Sequence, residues 1–478
     1  MQDISFLTIQ ELKSLLDSKK ITKKEVVQFF LERAAQHKDL NAVIEQYDVD
    51  SILSASADTG FLSGIPGYVK SNICQKDRIT SCASKILANF KSTYDATTVE
   101  RLKQQGALCL GSVNNDEFAM GSSGETSAYG VTKNPWNKEL VPGGSSSGSA
   151  AAVAAGFAPW ALGSDTGGSV RQPAALCGIV GLKPTYGLNS RFGLIAYGSS
   201  LDTVGILTRT VYDNALVLSA MAGQDAKDST SLPTTPKDYT KTLDGSLKPG
   251  LTIGVVEDAL SAQALHPEIR QATEDAIKVY EKMGAKIKRI SIPSLDYGAA
   301  CYFVISRAEA ASNLARFDGI RYGLRVPGKS LIDLYEATRH DGFGTEVKAR
   351  ILVGNYVLSV GHAGQYYNNA QLVRQIIRQQ LADAFKDVDL LVMPTHATPA
   401  FKVGEFDNDK LTMDLQDYFT APLNLAGVPG ISIPVGFSSQ GLPLGMQLVG
   451  PHLSEELLFQ TAYAYQEITD WHRQHPSL

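Results

Sequence analysis

Hydrophobic positions along the chain switch between a helical and a strand-like period, and the switches mark out successive elements. The opening stretch through Leu16 reads as an amphipathic helix capped by Ser5 or Thr8. A second helix is predicted from Lys23 to about His37 behind Thr22, with Val26, Val27, Phe30 and Leu31 on one face. Residues 66–74 then turn strand-like, with Gly67–Lys70 running into Ser71 and Asn72. A helix is expected over residues 96–106, a short buried strand over Ala107–Gly111, and a helix of small residues over 148–156. Phe157–Gly163 returns toward a sheet. Farther on, Leu251–Val256 and Lys286–Ile292 read as strands around a helix from Glu268 to Met283, stopped by Gly284. A long helix is expected from His362 to Phe385, followed by strands at Val388–Met393, Ile431–Val435 and Met446–Val449. A last helix is predicted over Ser454–Ile468.

Such alternation predicts an α/β protein built on a large, mostly covered sheet. No internal repeat is visible. Residues 224–251, rich in Asp, Ser, Thr, Lys and Pro, read as an exposed excursion and not as a clear boundary. One large domain over residues 1–478 is expected, with 1–60 as a helical segment packed on a catalytic core of 61–478.

Composition narrows the class. The 478 residues are 44% hydrophobic and 19% charged, ordinary for a globular enzyme, and the net charge of −5 argues against broad binding to nucleic acid. No apolar run reaches the ~18 residues of a spanning helix, so no membrane role is expected. The N-terminus carries Asp3 and Glu11 and does not read as a signal peptide. Five cysteines without CxxC pairing fit a reduced, cytoplasmic chain with no structural zinc.

Two glycine-serine segments carry the candidate chemistry. The first, Pro142–Ser149 (PGGSSSGS), feeds directly into a strong helix-forming run, which argues against a flexible linker. A phosphate loop lacks the lysine and the spacing it would need. The second is GSDTGGSVRQP at 163–173. Two glycines before Ser169 let the backbone turn sharply and aim consecutive N–H groups to one side, the geometry of an oxyanion hole. A plain strand-to-loop turn explains an isolated DTGGS equally well. None of the eight histidines has a motif linking it to this serine; His396, beside Pro394, is the only one worth weighing, and a structural role suits it better. A lysine whose pKa is lowered by burial could serve instead, and Lys70 ends an apolar stretch containing Ile65, Tyr68 and Val69. Taken alone, Lys70 reads more simply as a strand-end lysine facing solvent.

Together, in order, Lys70, GGSSSGS at 143–149 and GSDTGGSVRQPA at 163–174 resemble the amidase-signature family, with Ser169 following Ser145 by 24 residues. The resemblance implies a central mixed, twisted sheet covered by helices on both faces. It assigns Ser169 as nucleophile, Ser145 as a bridging serine behind a cis peptide bond, and Lys70 as base. The backbone N–H groups of Thr166, Gly167, Gly168 and Ser169 would form the oxyanion hole. Further segments, including Ser81–Lys85, Asp116–Ser123, Asn134–Trp136, Ala308–Ala310, Ser312–Arg316 and Asn424–Gly427, look like one subgroup: the glutamine-hydrolysing subunits of bacterial tRNA-dependent amidotransferases.

That likeness implies a heterotrimer with two partners, the amidotransferase subunits B and C, of which the first is a kinase-transferase and the second is small. Ammonia from glutamine would pass to the kinase-transferase, where a misacylated Glu-tRNA(Gln) or Asp-tRNA(Asn) is activated with ATP and magnesium. The likeness implies no cofactor in this chain and tRNA contacts mainly through the kinase-transferase. By position it gives Arg350 to the glutamine α-carboxylate and Asp417 to the α-amino group, with Asp414 a confusable neighbour. Gly121 and Ser123 are expected to line the substrate site. An Arg fork and a carboxylate are what an amino-acid substrate requires. Two departures stand out: Ser71 where the subgroup has aspartate, which removes a negative charge beside the base, and Gly124-Glu125-Thr126. The alternatives are a stand-alone hydrolase of small amides and a catalytically dead scaffold.

Overall fold

The structure is a computed structural model that describes residues 3–478. Eleven strands form one sheet: β1 (Val43–Gln46), β2 (Pro66–Lys70), β3 (Leu108–Val113), β4 (Trp160–Asp165), β5 (Val180–Lys183), β6 (Thr203–Thr208), β7 (Thr252–Val256), β8 (Lys286–Ile290), β9 (Leu390–Pro394), β10 (Gly430–Phe437) and β11 (Pro443–Val449). Their spatial order is β1-β3-β2-β4-β6-β5-β10-β11-β9-β7-β8. Strand β2 runs parallel to both β3 and β4, β7 runs parallel to both β8 and β9, and antiparallel pairs join the two parallel groups. The sheet is therefore mixed. Every residue of β2 to β6, β9 and β11 is buried, so both faces of the sheet are covered. The two edge strands are wetter: no residue of β1 or β8 is buried.

The helices that matter to the site are α1 (Ile9–Asp17), α2 (Lys23–Gln36), α3 (Ser147–Ala154), α4 (Arg171–Cys177), α5 (Gly298–Asn313), α6 (Thr345–Leu358) and α7 (Tyr367–Ala384). Thr8 and Thr22 close full capping boxes with Glu11 and Glu25, satisfying free N–H groups at both helix starts. All eight residues of α3 are buried, which its Ser, Gly and Ala content permits because there is almost no side chain to accommodate.

Several expectations need correction. Residues 1–60 are not wholly helical: β1 lies among them and pairs antiparallel with β3 at the sheet edge. The long helix begins at Tyr367, because the residues from Ser359 to Tyr366 form turns. The excursion at 224–251 holds no helix or strand, yet Tyr239 packs into the core from it. Lys70 does not face solvent; it is fully buried at the end of β2.

Candidate active site

Lys70 and Asp165 sit at the carboxyl ends of two adjacent parallel strands, β2 and β4, the end of such strands where α/β folds gather their chemistry. The two glycine-serine segments meet there. The Ser146 N–H donates to the Ser169 carbonyl at 3.1 Å, joining the start of α3 to the loop between β4 and α4. The Gly144–Ser145 peptide bond is cis.

Lys70 Nζ lies 2.7 Å from Ser145 Oγ, 3.0 Å from Ser146 Oγ and 2.9 Å from Ser164 Oγ. No carboxylate pairs with it. Burial pushes its pKa down to about 7, against the pull of Asp116, Asp165 and Asp202 in the other direction. The three hydroxyls are not equivalent. Ser146 Oγ donates to the Ser164 carbonyl and accepts from the Ser164 N–H, so its proton is committed. Ser164 Oγ already accepts from Asn72. Among the described residues Ser145 Oγ has Lys70 as its only hydrogen-bonding neighbour and Ser169 Oγ has none, so Ser145 is coupled to the lysine while the two serine hydroxyls are not bonded to each other. Lys70 and Ser145 are sealed from solvent, whereas Ser169 retains 4% exposure. Of the three, only Ser169 is within reach of a substrate.

The loop before Ser169 is built to point its N–H groups inward. Gly168 has φ +145°, and a Cβ there would lie 2.2 Å from Thr420 Oγ1, so only glycine fits. Thr420 Oγ1 donates to the Gly167 carbonyl at 2.6 Å, turning that peptide's oxygen away. The next N–H groups, of Val170 and Arg171, bond Asp165. The N–H groups of Thr166, Gly167, Gly168 and Ser169 have no protein acceptor among the described residues. Beneath the loop, Arg171 forms a buried pair with Asp165 and also bonds Gln447, Thr420 and Asn424. Burial alone would raise Asp165, but the charge and hydrogen bonds of Arg171 outweigh it and hold Asp165 at about 2. This network is a rigid base for the loop.

A second carboxylate, Asp116, packs against the other glycine-serine segment. It accepts from the N–H groups of Gly124 and Thr126 and from the Thr126 hydroxyl. A Cβ on Gly144 would lie 2.1 Å from Asp116 Oδ2, and one on Gly121 would lie 2.4 Å from its Cγ. Gly121 thus packs on Asp116. His396 is fully buried, with its pKa lowered to about 4 by that burial. It contacts Gln172, whose Oε1 accepts from the Gly144 N–H. His396 supports the loop and does not touch Ser169. The departures fit locally: Ser71 donates to Asn115, Thr126 serves Asp116, and Glu125 accepts from the Gly404 N–H.

Arg350 and Asp417 face the same region. Arg350, on α6, donates Nε to Glu346 at 2.7 Å and Nη1 to the Tyr197 hydroxyl at 2.8 Å, leaving Nη2 without an acceptor among the described residues. Asp417 accepts from Ser122 at 3.1 Å, and its Oδ1 is buried and unpartnered. Burial raises Asp417 to about 7, with Ser122 and the Arg350 charge pulling it back. Asp414 is bound to Arg307 at 2.7 Å, which leaves Asp417 as the available carboxylate. Ser122, and not Ser123, reaches Asp417.

The sequence reading missed the residues that tie these parts together. Asp202 accepts from Thr166 Oγ1 at 2.7 Å and from the N–H groups of Tyr197 and Gly198, joining the loop before Ser169 to the tyrosine that holds Arg350. Tyr302, on α5, packs so close to Gly167 that a Cβ there would lie 2.5 Å from its ring. No local motif marks either residue.

A family model described as Amidase matches residues 25–459. The chain is 49% identical to the A subunit of glutamyl-tRNA(Gln) amidotransferase from Thermosynechococcus vestitus, covering 98% of this chain and 99% of that relative. It is 48% identical to the protein of the same name from Geobacillus sp., with the same coverage. The crystal structure of the corresponding glutamyl-tRNA(Gln) amidotransferase protein from Thermotoga maritima superposes with a TM-score of 0.84 at 40% identity, covering 98% of this chain and 96% of that one. A 6-aminohexanoate cyclic dimer hydrolase superposes with a TM-score of 0.87 at 26% identity, over 100% and 99%.

Proposed function

The chain belongs to the amidase family, and from that premise we propose that it is the glutamine-hydrolysing subunit of a tRNA-dependent amidotransferase, supplying ammonia to a partner. One observation carries the chemistry: a buried lysine that has no carboxylate partner among the described residues, 2.7 Å from a serine hydroxyl that has no other hydrogen-bonding neighbour among them. With the Ser169 and Ser145 hydroxyls brought into contact, neutral Lys70 takes the Ser145 proton as Ser145 takes that of Ser169, and Ser169 attacks the side-chain amide carbon of glutamine. The N–H groups of residues 166–169 stabilise the oxyanion. The returning proton goes to the leaving nitrogen, ammonia departs, and water hydrolyses the glutamyl ester to glutamate by the same relay. The free Nη2 of Arg350 and Oδ1 of Asp417 fit the α-carboxylate and α-ammonium of an amino-acid substrate, which favours glutamine over a simple amide.

The remaining parts of the reading follow from the likeness to amidotransferase relatives. The kinase-transferase and the small partner complete a cytoplasmic heterotrimer, ATP and magnesium act at the kinase-transferase, and the misacylated tRNA binds mainly there. No helix among the described residues is long and apolar enough to cross a membrane. The test is ammonia release from glutamine by the assembled enzyme. Ser169→Ala should remove nearly all of it, by several powers of ten. Release at the normal rate by that variant would refute the scheme.

A further inference from the structure

From Ile351 onward, helix α6 carries no charged residue on any side. Its inner face, Val347, Ile351, Gly354 and Val357, is buried. Gly354 lets it lie so close to α5 that a Cβ would meet the Arg307 carbonyl oxygen at 2.0 Å. Its outer face carries Leu352 at 70% exposure, Val353 and Tyr356, and Val360 in the following turn is wholly exposed. From Ile351 to Val360 only Asn355 and Ser359 are polar. A helical stretch without charge on any side is expected to be covered, and this one is covered on one side only. The turn is stiffened by stacked rings: Tyr356 lies on His362 with centroids 4.3 Å apart, and Tyr366 closes the group.

We propose that this corner, Leu352, Val353, Tyr356, Val360 and Tyr366, is where the ammonia-receiving partner docks, through an apolar surface with an acidic rim. The inference rests on the functional reading above. Three observations select the occupant. First, size: at about 150–200 Å² for a fully exposed large side chain, the five exposed fractions amount to roughly 500 Å², at the upper end of patches on monomers. That is most of the ~800 Å² one partner contributes to a standard interface. Second, charge: no Asp or Glu occurs from Val347 to Ala382, in a chain whose net charge is −5, and Lys348 stands one turn before Leu352 on the same helix. A single cation beside the face is too few for a phosphate backbone, so a protein surface fits better than RNA. Third, continuity with the site: the same helix carries Arg350 on its other side, bonded to Tyr197. A partner seated on the outer face therefore bears on the residue that holds glutamine.

The experiment uses the full chain co-expressed with the two other subunits of the same amidotransferase, with assembly read by size-exclusion chromatography with mass measurement. Leu352→Asp combined with Val360→Asp should weaken assembly at least ~30-fold. Thermal unfolding of the chain alone and fluorophosphonate labelling of Ser169 should stay unchanged. Ile332→Asp, an exposed apolar position on another helix, should assemble normally. Unchanged assembly by the double variant overturns the proposal. So does a homodimer of the isolated chain that the same substitutions dissolve, which would give the face to a second copy. If the double variant unfolds, a photo-crosslinker on Val360→Cys decides, since all five native cysteines are buried. A crosslink to the kinase-transferase supports the proposal, and none overturns it. A parent chain that assembles with neither of the two overturns the functional reading itself.

Discussion

If Lys70 is the base, acylation of Ser169 should rise with pH through about 7, the value to which burial lowers this lysine from 10.5. The sign follows from the direction of the shift: the neutral, proton-accepting form is present above the lowered pKa and is lost as pH falls through it. About half of Lys70 is then neutral at pH 7, against roughly three parts in ten thousand for an ordinary lysine, a gain of about a thousandfold in available base. Labelling by a fluorophosphonate isolates this step, because the probe has neither α-amine nor carboxylate and does not engage Arg350 or Asp417. Its second-order rate constant, followed by mass spectrometry of the Ser169 peptide, should increase about 30-fold from pH 5.5 to pH 8. Lys70→Ala should lower the rate at pH 8 by about 10²–10⁴ and flatten the profile. A profile that is flat in the parent protein, or an inflection near 7 that survives in Lys70→Ala, would refute the assignment.

With glutamine in place of the probe, kcat/KM should fall more steeply below pH 7, since Asp417, raised to about 7, must also be ionised to hold the ammonium; Asp417→Asn should raise KM and restore a one-proton slope. Arg350→Lys should likewise raise KM for glutamine while leaving labelling by the small probe near its parent rate, because a lysine cannot replace the planar fork. Asp202→Asn puts an amide NH₂ where a carboxylate oxygen accepted, loosening both Thr166 and Tyr197, and should lower kcat by about 10–100-fold in a steady-state glutaminase assay. Gly144→Ala sets a methyl 2.1 Å from Asp116 Oδ2 and should cost about 1–3 kcal/mol, read as a lower urea midpoint.

What the sequence determined by itself was local. Caps at Thr8 and Thr22, the stop at Gly284 and the strand around Lys70 follow from residue type and short-range period, and the order of Lys70, Ser145 and Ser169 is a property of the chain. Helices α5 and α6 escaped notice for a physical reason: both carry apolar residues on every side, so neither shows the one-sided period by which a surface helix is recognised. Strands β5 and β6 are short and buried on both faces, which removes the alternation a half-exposed strand would show. The tertiary structure decided burial and neighbours. A strand-end lysine was taken out of water because segments 75 and 94 residues away close over it with hydroxyls and no carboxylate. Asp417 was separated from Asp414 by Ser122, 295 residues earlier, and by the salt bridge that occupies Asp414. Charge, pKa and reach depend on what surrounds a group in space, and only folding brings those surroundings together.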